Sequence, residues 1–500
     1  MDILKLVKTF LLLIFVFGCS RYSQTNGEIP VYRKAIYNIP DKLEILKIVD
    51  TSQFSIVNIM YDGLFAIDQY LKITPSLVDN WKISKNGHLY TFNIKKNVKF
   101  HDGSNLKIQD VYNCLNGLRS PDSSTSEMYR KIKAIKILGN HSIQVELNSA
   151  YPPFISLLAG PNGKIYKKSS EFQYPLGTGA FRMVKIVVEG SNKVLSLKRF
   201  DSYHGNFPKI INFELWQLLE AEALELAKKG VIHDTSIYTS NSGFAKNVET
   251  LKELRAPSAA TWLFSFNDQM PLTSKLNFRQ CFSEAFDKKG FIERFIPDHK
   301  EAVGFLPPVL GGSKLKRRKI GSKKSCEKFR RKIVHLDMPK ELSAHAEMCK
   351  FIISNMKESE IIVRCDIRAF SEMAKRIKEH KNEMSFLAQT LDNPNIEYFF
   401  NTFEKSSNFN FSNYSSAFID NNLKKARFES SHSKRAKYFA KINQHLYDNV
   451  VTLNISHPDH ISYRHRCVEG LVVNVTSRAF IDYTAVRLKD DCQFRDNFQI

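Results

Sequence analysis

The chain contains 500 residues, of which 43% are hydrophobic and 12% aromatic, so it can form packed cores and is not a disordered polymer. This length is too great for one core, and we predict two or three lobes. Much of the formal net charge of +22 comes from residues 314–332, which are rich in Lys and Arg. No zinc-finger, RNP or helix-turn-helix pattern accompanies that stretch. The basic stretch at 314–332 is therefore predicted to be a solvated surface loop and not a nucleic-acid site.

The N-terminus has the pattern of a secretory signal. Lys5 and Lys8 precede an apolar run at residues 10–17, and Cys19 follows a small-residue site. The run is far shorter than the roughly 20 residues that a membrane-spanning helix needs. We therefore predict a lipoprotein signal peptide at 1–18, with Cys19 as the lipid attachment site.

Strand and turn signals dominate the next segment. Asn86 and Gly87 separate two runs that alternate apolar and polar side chains, which predicts a hairpin. Tyr90, Phe92 and Ile94 should then share one face, and Leu89, Thr91 and Asn93 the other. A helix should begin near Asp110. The order of short sequence motifs is also distinctive: YDGLF at 61–65, PSLVDNW at 75–81, KNGHLYTF at 85–92 and VKFHDG at 98–103.

This ordered series resembles the N-terminal signature of the family 5 solute-binding proteins of ABC importers, which take up peptides, dipeptides or nickel. A second resemblance lies at residues 262–287, where WLFSFN is followed by FRQCFSEAFD. Five apolar positions there share one face of a predicted helix: Phe278, Cys281, Phe282, Ala285 and Phe286. The PLGTGAF element at 175–181 also resembles the family, and it is not a phosphate loop because no Gly-Lys-Ser/Thr follows.

Strands and helices alternate after residue 332. Strands are predicted at 332–336, 361–365 and 384–388, with helices at 342–357 and 370–380 between them, which indicates an α/β sheet covered by helices. The resemblance implies a two-lobed α/β periplasmic-binding-protein fold with an extra N-terminal subdomain and ligand between the lobes. Its hinge strands should lie near 245–262 and 450–465. The predicted segments are a tether at 19–30, lobe I at 31–50, 175–250 and 460–500, a small subdomain at 51–174, and lobe II at 251–459.

The resemblance also implies where ligand would bind. In peptide-binding members, a loop of the second lobe carries an aspartate that pairs with the ligand's α-amino group. Aligning that loop on Pro394 puts Thr390 in the aspartate position, so the amine-binding carboxylate is missing. Asp392 could replace it only in a rebuilt loop. The candidate ligand-binding residues are Trp262, Phe386, Thr390, Asp392 and Asn393. A core or hinge role is an equal alternative for Trp262.

Catalytic and metal sites find little support. No nucleophile elbow, Walker motif or dinucleotide fingerprint is present, so we predict no enzyme, no catalytic residue and no cofactor. His457, Asp459, His460, His465 and Cys467 are close in sequence, but their spacing matches neither a helix-borne His-Glu-x-x-His site nor a zinc finger, and we predict no metal site. The eight cysteines include no Cys-x-x-Cys pair. One or two long-range disulfides remain open, and the sequence does not pair them.

The resulting prediction is a monomeric substrate-binding lipoprotein of an ABC importer, held by lipid on the periplasmic or extracellular face of a bacterial membrane. Its partners would be a peptide or small solute and the permease with its ATPase, and not nucleic acid. Two alternatives remain open. One is a diverged sensor or surface-interaction lipoprotein that is uncoupled from transport, and the other is a binder of a non-peptide solute such as a metal complex.

Overall fold

The computed structural model describes residues 30–48, 50–68, 72–123, 125–169, 173–189, 192–237, 248–312, 315–316, 323–342, 344–391, 395–405, 407, 410–429, 431–473 and 481–489. The predicted signal peptide at 1–18, its Cys19 and nearly all of the tether at 19–30 lie outside these residues. Asp392 and Asn393 also lie outside them.

Strands from all parts of the chain build the sheets. The first strands are β1 (Val31–Ile36), β2 (Phe65–Ile67), β3 (Ile73–Pro75), β4 (Val78–Ile83), β5 (Leu89–Ile94), β6 (Ile132–Gly139), β7 (Ser142–Leu147), β8 (Phe181–Glu189), β9 (Asn192–Arg199) and β10 (Asn212–Gln217). They are followed by β11 (Asp234–Ile237), β12 (Leu251–Pro257), β13 (Ala260–Phe266), β14 (Lys300–Glu301), β15 (Ile333–Pro339), β16 (Ile362–Arg368), β17 (Met384–Thr390), β18 (Thr452–His457), β19 (Asp459–His465), β20 (Val468–Glu469) and β21 (Arg487–Leu488).

Helices are concentrated in the second half of the chain. They are α1 (Thr51–Met60), α2 (Ile108–Gly117), α3 (Ser126–Tyr129), α4 (Phe154–Leu158), α5 (Glu220–Lys228), α6 (Leu276–Ala285), α7 (Lys288–Phe295), α8 (His345–Met356), α9 (Phe370–Lys378), α10 (Glu397–Asn401), α11 (Ala417–Phe428) and α12 (His432–Asp448). No helix within the described residues is both long and apolar enough to cross a bilayer.

The first lobe is built on a seven-stranded sheet with the order β12-β19-β11-β1-β10-β9-β8. Its central strand β1 pairs in parallel with β10 and β11, and the remaining pairs are antiparallel. Tyr32, Phe213 and Leu215 are buried on this sheet in one hydrophobic cluster. Ile56 of α1 belongs to the same cluster, so α1 covers the sheet.

Two predicted segment boundaries are wrong. We predicted residues 251–257 in lobe II, but β12 pairs with β19 of the first sheet along its whole length. We predicted α1 in the small subdomain, but its apolar side chains pack in the core of the first lobe. In both cases long-range pairing and packing decide which sheet the element joins, and the local sequence does not show them. The other boundaries stay predictions.

The second lobe is a layered α/β unit around a six-stranded sheet with the order β14-β18-β13-β17-β15-β16. Every residue of β13 is buried, because helices cover both faces. Trp262 packs in the cluster that includes α6, α7 and α8, whereas Leu263 packs in the cluster of α10, α11 and α12. The predicted apolar face of α6 is confirmed, since Phe278, Cys281 and Phe282 are fully buried in the first of these clusters.

The small subdomain contains a four-stranded antiparallel sheet with the order β4-β5-β7-β6. The predicted hairpin is confirmed: β4 and β5 pair across a turn in which Gly87 has a φ of +69°, a conformation that favours glycine. The predicted faces of β5 are also confirmed, since Tyr90, Phe92 and Ile94 are the buried ones. The predicted helix begins at Ile108.

Two disulfides lie in the second lobe. They link Cys281 to Cys326 and Cys349 to Cys365, which gives two pairings that the sequence had left open. Cys281 and Cys349 lie on helices α6 and α8, so both bridges tie a helix to a neighbouring segment of the lobe. Cys114 of the small subdomain is a buried free thiol.

Candidate functional site: the cleft beside the two crossovers

The chain crosses between the two large sheets twice, from β12 to β13 and from β18 to β19. Both crossovers fall inside the ranges predicted for the hinge. They are bonded side by side, because the Ser258 amide donates to the Pro458 carbonyl at 3.2 Å and Ser258 Oγ lies 2.9 Å from His460 Nε2. Thr261 Oγ1 lies 3.1 Å from His457 Nδ1. Burial lowers the pKa of His457 to about 4, so this ring adds no charge to the hinge at neutral pH.

These contacts also account for the cluster of metal-capable residues noted in the sequence. His457 and His460 are bonded to hinge hydroxyls, and His465 Nδ1 accepts the backbone amide of Cys467 at 3.3 Å. Within the described residues, no three His, Cys, Asp or Glu side chains are grouped so as to hold a metal ion. The three histidines are buried side chains of the hinge strands, and Asp459 pairs with Arg255.

Thr390 lies beside this hinge. It is the last residue of β17, is half-buried, and pairs across the ladder with Ala260 at the start of β13. The next residue, Leu391, donates its amide to the Ala259 carbonyl at 2.9 Å. This position is compatible with the predicted role of Thr390 at the rim of a cleft, and the role stays a prediction.

Trp262 and Phe386 have a different environment. Their rings lie 5.6 Å apart, Trp262 also contacts His299 at 4.9 Å, and Phe386 contacts Phe291 of α7 at 5.9 Å. Both side chains belong to the buried cluster of the second lobe. The structure therefore places them in the core and not together with Thr390 on an open wall, which corresponds to the core alternative for Trp262.

A polar contact that the sequence did not reveal joins the small subdomain to the second lobe. The Tyr151 hydroxyl, just after β7, donates to Glu397 Oε2 of α10 at 3.2 Å. The Glu397 side chain is only 2% exposed, and the Arg427 guanidinium of α11 donates to its other oxygen. Arg427 also makes two hydrogen bonds of 2.6 Å to Glu404. No motif marks these residues, and the only hint is that Glu397 closely follows Thr390.

The charges at this contact affect the pKa values of its two basic side chains, Arg427 and Lys131. Burial acts to lower the pKa of Arg427, but the hydrogen bonds to Glu404 and the charge of Glu397 outweigh it and raise the pKa. Burial lowers the pKa of Lys131, whose ammonium lies 4.0 Å from the centre of the Tyr151 ring, and Glu397 opposes that shift.

The signature motifs are located at a different junction, between the small subdomain and the first lobe. Asp62 accepts from the ring of His204 at 2.8 Å and from the Tyr203 hydroxyl at 3.4 Å. Burial lowers the pKa of Lys164 to about 8, although the charge of Asp62 counteracts this shift. His101 Nε2 lies 3.1 Å from the Gly179 carbonyl. These residues hold two parts of the fold together.

Comparison with known proteins agrees with this architecture. The family model described as bacterial extracellular solute-binding proteins, family 5 Middle, matches residues 72–411. The glutathione-binding protein GsiB of Salmonella choleraesuis is 24% identical over 277 residues. That alignment covers 52% of this chain and 53% of the relative, so the chain spans about half of the length of the curated relatives of this kind.

Solved structures extend the likeness to most of the chain. NikZ from Campylobacter jejuni in complex with Ni(L-His) has a TM-score of 0.79 and 20% identity, covering 91% of this chain and 98% of NikZ. DppA from Helicobacter pylori in complex with the peptide STSA has a TM-score of 0.83 and 18% identity, covering 92% of this chain and 98% of DppA. The predicted two-lobed α/β periplasmic-binding-protein fold is thereby confirmed. The family match covers more than half of the sequence, and the chain belongs to the bacterial extracellular solute-binding proteins of family 5.

Proposed function

We propose that this protein is the extracytoplasmic binding component of an ABC importer and captures peptides or a peptide-like solute between its two lobes. The observation that carries the proposal is the pair of crossovers between two independent sheets, because two connections of this kind allow hinge closure around a ligand. Family membership gives the proposal its context. DppA from Helicobacter pylori was solved with a bound peptide, and GsiB is a glutathione-binding protein.

The proposed ligand position is the cleft rim beside Thr390. This residue ends β17 next to the crossovers, and α10 begins at Glu397, seven residues further along the chain. Asp392 and Asn393 remain candidates from the sequence. Without an aspartate at position 390, we expect free amino termini to contribute less affinity than they would opposite a carboxylate. Backbone hydrogen bonding to an edge strand would still bind a peptide irrespective of its sequence.

The proposal includes a lipid anchor at Cys19, a monomeric state and delivery of the ligand to a membrane permease. Its support is the charged, apolar and cysteine pattern of the N-terminus together with the family match. A non-peptide ligand is the second candidate, since NikZ has the same fold and was solved with Ni(L-His).

Native mass spectrometry of residues 20–500, before and after mild denaturation, tests the proposal. A heterogeneous set of released peptide masses is the expected result. One discrete non-peptide mass would replace the peptide proposal with the second candidate. A protein that releases nothing and binds neither peptides nor nickel–histidine would contradict a capture role and favour a sensor or surface-interaction lipoprotein.

A further inference from the structure

We infer that Tyr151, Glu397 and Arg427 form a latch that stabilises the closed arrangement of the small subdomain against the second lobe. The inference rests on the proposed capture of a ligand between lobes, since it concerns the closure of the same cleft. It assigns these residues a positioning role, because they set the balance between closed and open forms and need not contact the ligand.

The first argument is how the two sides are connected. The small subdomain enters and leaves through the first lobe, whereas Tyr151 and Glu397 are 246 residues apart in the chain. Their contact is made by side chains, with the Tyr151 hydroxyl donating to Glu397 at 3.2 Å. A rotation at the crossovers can therefore separate these two groups without disturbing the strand pairing within either sheet.

The second argument is that each half is held in place before the halves meet. On the small subdomain, the Tyr90 hydroxyl donates to the Tyr151 carbonyl at 3.1 Å, and the Lys131 ammonium lies over the Tyr151 ring. On the second lobe, Arg427 binds Glu397 and also forms a bidentate pair with Glu404. Of these contacts among the described residues, the hydrogen bond from Tyr151 is the one that has to form on closure, so little side-chain ordering opposes it.

The third argument concerns the cost of opening. Because Arg427 belongs to the same lobe as Glu397, the carboxylate keeps its cationic partner when Tyr151 withdraws. Opening therefore breaks one hydrogen bond to a charged acceptor and uncovers neighbouring apolar surface, including Tyr398, which packs against the cores of both the small subdomain and the second lobe. One hydrogen bond and a small apolar contact can form and break reversibly, and protein side chains alone make both.

The test measures closure directly, with a matched control. Labels are attached through non-natural keto amino acids that replace Asn140 and Lys424, which are exposed on the two sides, so the disulfide cysteines are left alone. Inter-label distance distributions are recorded for the full mature chain without added ligand, for Tyr151→Phe and for Tyr129→Phe. Tyr129 is the control because its buried hydroxyl donates at 2.9 Å to Leu157, inside the small subdomain.

We expect Tyr151→Phe to lower the closed-to-open ratio about tenfold, equivalent to about 1.4 kcal/mol, and Tyr129→Phe to leave it unchanged. Glu397→Gln should shift the distribution in the same direction as Tyr151→Phe. The latch is overturned if neither Tyr151→Phe nor Glu397→Gln opens the protein, or if Tyr129→Phe opens it equally. The distance measurement needs no ligand, whereas the capture role is tested by mass spectrometry, so the two ideas fail independently.

Discussion

The small subdomain touches both lobes, and the two junctions differ in kind. Toward the first lobe the contact includes backbone hydrogen bonds as well as the side-chain bonds of Asp62 and His101. The His101 amide donates to the Gly177 carbonyl at 3.0 Å, and within the first lobe the Gly179 amide donates to the Met60 carbonyl at 3.0 Å. The glycines are needed there, because a Cβ on Gly177 would lie 2.1 Å from the Met60 carbonyl oxygen.

Toward the second lobe the contact is made by side chains. Tyr151 meets Glu397 through one hydrogen bond, and Tyr398 supplies the apolar part of the interface. In the closure that we propose, the small subdomain would move with the first lobe and close with it against the second. We therefore call the first contact the permanent junction, and the second is the contact that the proposed motion would make and break.

The largest expected effect is at the permanent junction. Gly177→Ala puts a methyl group against the Met60 carbonyl at the end of α1, and the two backbone segments cannot separate without losing the hydrogen bond from the Gly179 amide to that carbonyl. We expect a loss of stability of at least about 3 kcal/mol, the upper part of the range for overpacking, seen by calorimetry as a lower melting temperature or as insoluble protein. Gly139→Ala is the control, since no atom lies within 4 Å of its added Cβ. Equal melting temperatures for the two variants would show that this junction is not tightly packed.

A smaller effect is expected at the second junction from Arg427→Ala. This change leaves the buried Glu397 and the neighbouring Glu404 without their cation, and we expect a local cost of about 2 kcal/mol, below the value for fully buried pairs because Arg427 is 15% exposed. Amides of α10 should then exchange with deuterium about 30-fold faster, while those of the first sheet are unchanged.

The matched control for Arg427→Ala is Arg487→Ala. Arg487 is 65% exposed and pairs with Glu469, so removing it should leave exchange nearly unchanged. If α10 exchanges at the parental rate in Arg427→Ala, the ion pair does not hold this side of the junction.

The third prediction concerns the pH dependence of stability, to which His101 contributes at the junction with the first lobe. Burial lowers the pKa of His101 to about 4, from an ordinary value near 6.5. Between these values the unfolded chain binds a proton that the folded protein does not, so stability rises with pH and is lost as pH falls from 6.5 toward 4. For this one group we expect a loss of about 1.4 kcal/mol between pH 7.5 and 5.5.

The variant His101→Gln isolates that contribution, because a glutamine amide can still donate to the Gly179 carbonyl but does not titrate. Thermal melts across this pH range should show a shallower slope for the variant than for the parent protein. Because His457 is also buried with a pKa of about 4, part of the slope should remain. Parallel curves for the two proteins would remove His101 from the acid response.

The same contrast explains what the sequence can predict. Local signals identified the turn at Gly87, the alternating faces of β5 and the buried face of α6, since each depends on neighbours in the chain. The resemblance correctly gave the two-lobed fold. Sequence reasoning failed where distant partners decide: α1 packs on the first lobe, and β12 joins the first sheet because β19 is its partner.

The candidate site was even harder to predict from the sequence than the fold. Trp262 and Phe386 are aromatic residues on central strands, and the sequence does not show which face of the sheet they occupy or which helix covers them. Glu397 could not be identified, because its partners Tyr151 and Arg427 become neighbours only through tertiary structure. Glu397 stands out because it is a buried carboxylate, and it becomes buried only when the junction is assembled.

The smallest expected effect tests the cleft itself, on the side of the second lobe. Thr390→Asp introduces a carboxylate at the end of β17, beside the crossovers and away from the junction with the first lobe. If the alignment on Pro394 is right, isothermal titration with a free tetrapeptide should show about a fivefold gain in affinity, about 1 kcal/mol. The N-acetylated tetrapeptide should gain nothing, because it has no ammonium group to pair with.

The control variant is Thr390→Asn. Its side chain has nearly the same size as that of Asp but no charge, so it separates the effect of charge from the effect of shape. Equal affinities of the Asp and Asn variants for the free peptide would mean that residue 390 does not face the ligand's amino end. The ligand's amino end would then bind elsewhere along the cleft, and the comparison of the two junctions would not depend on residue 390.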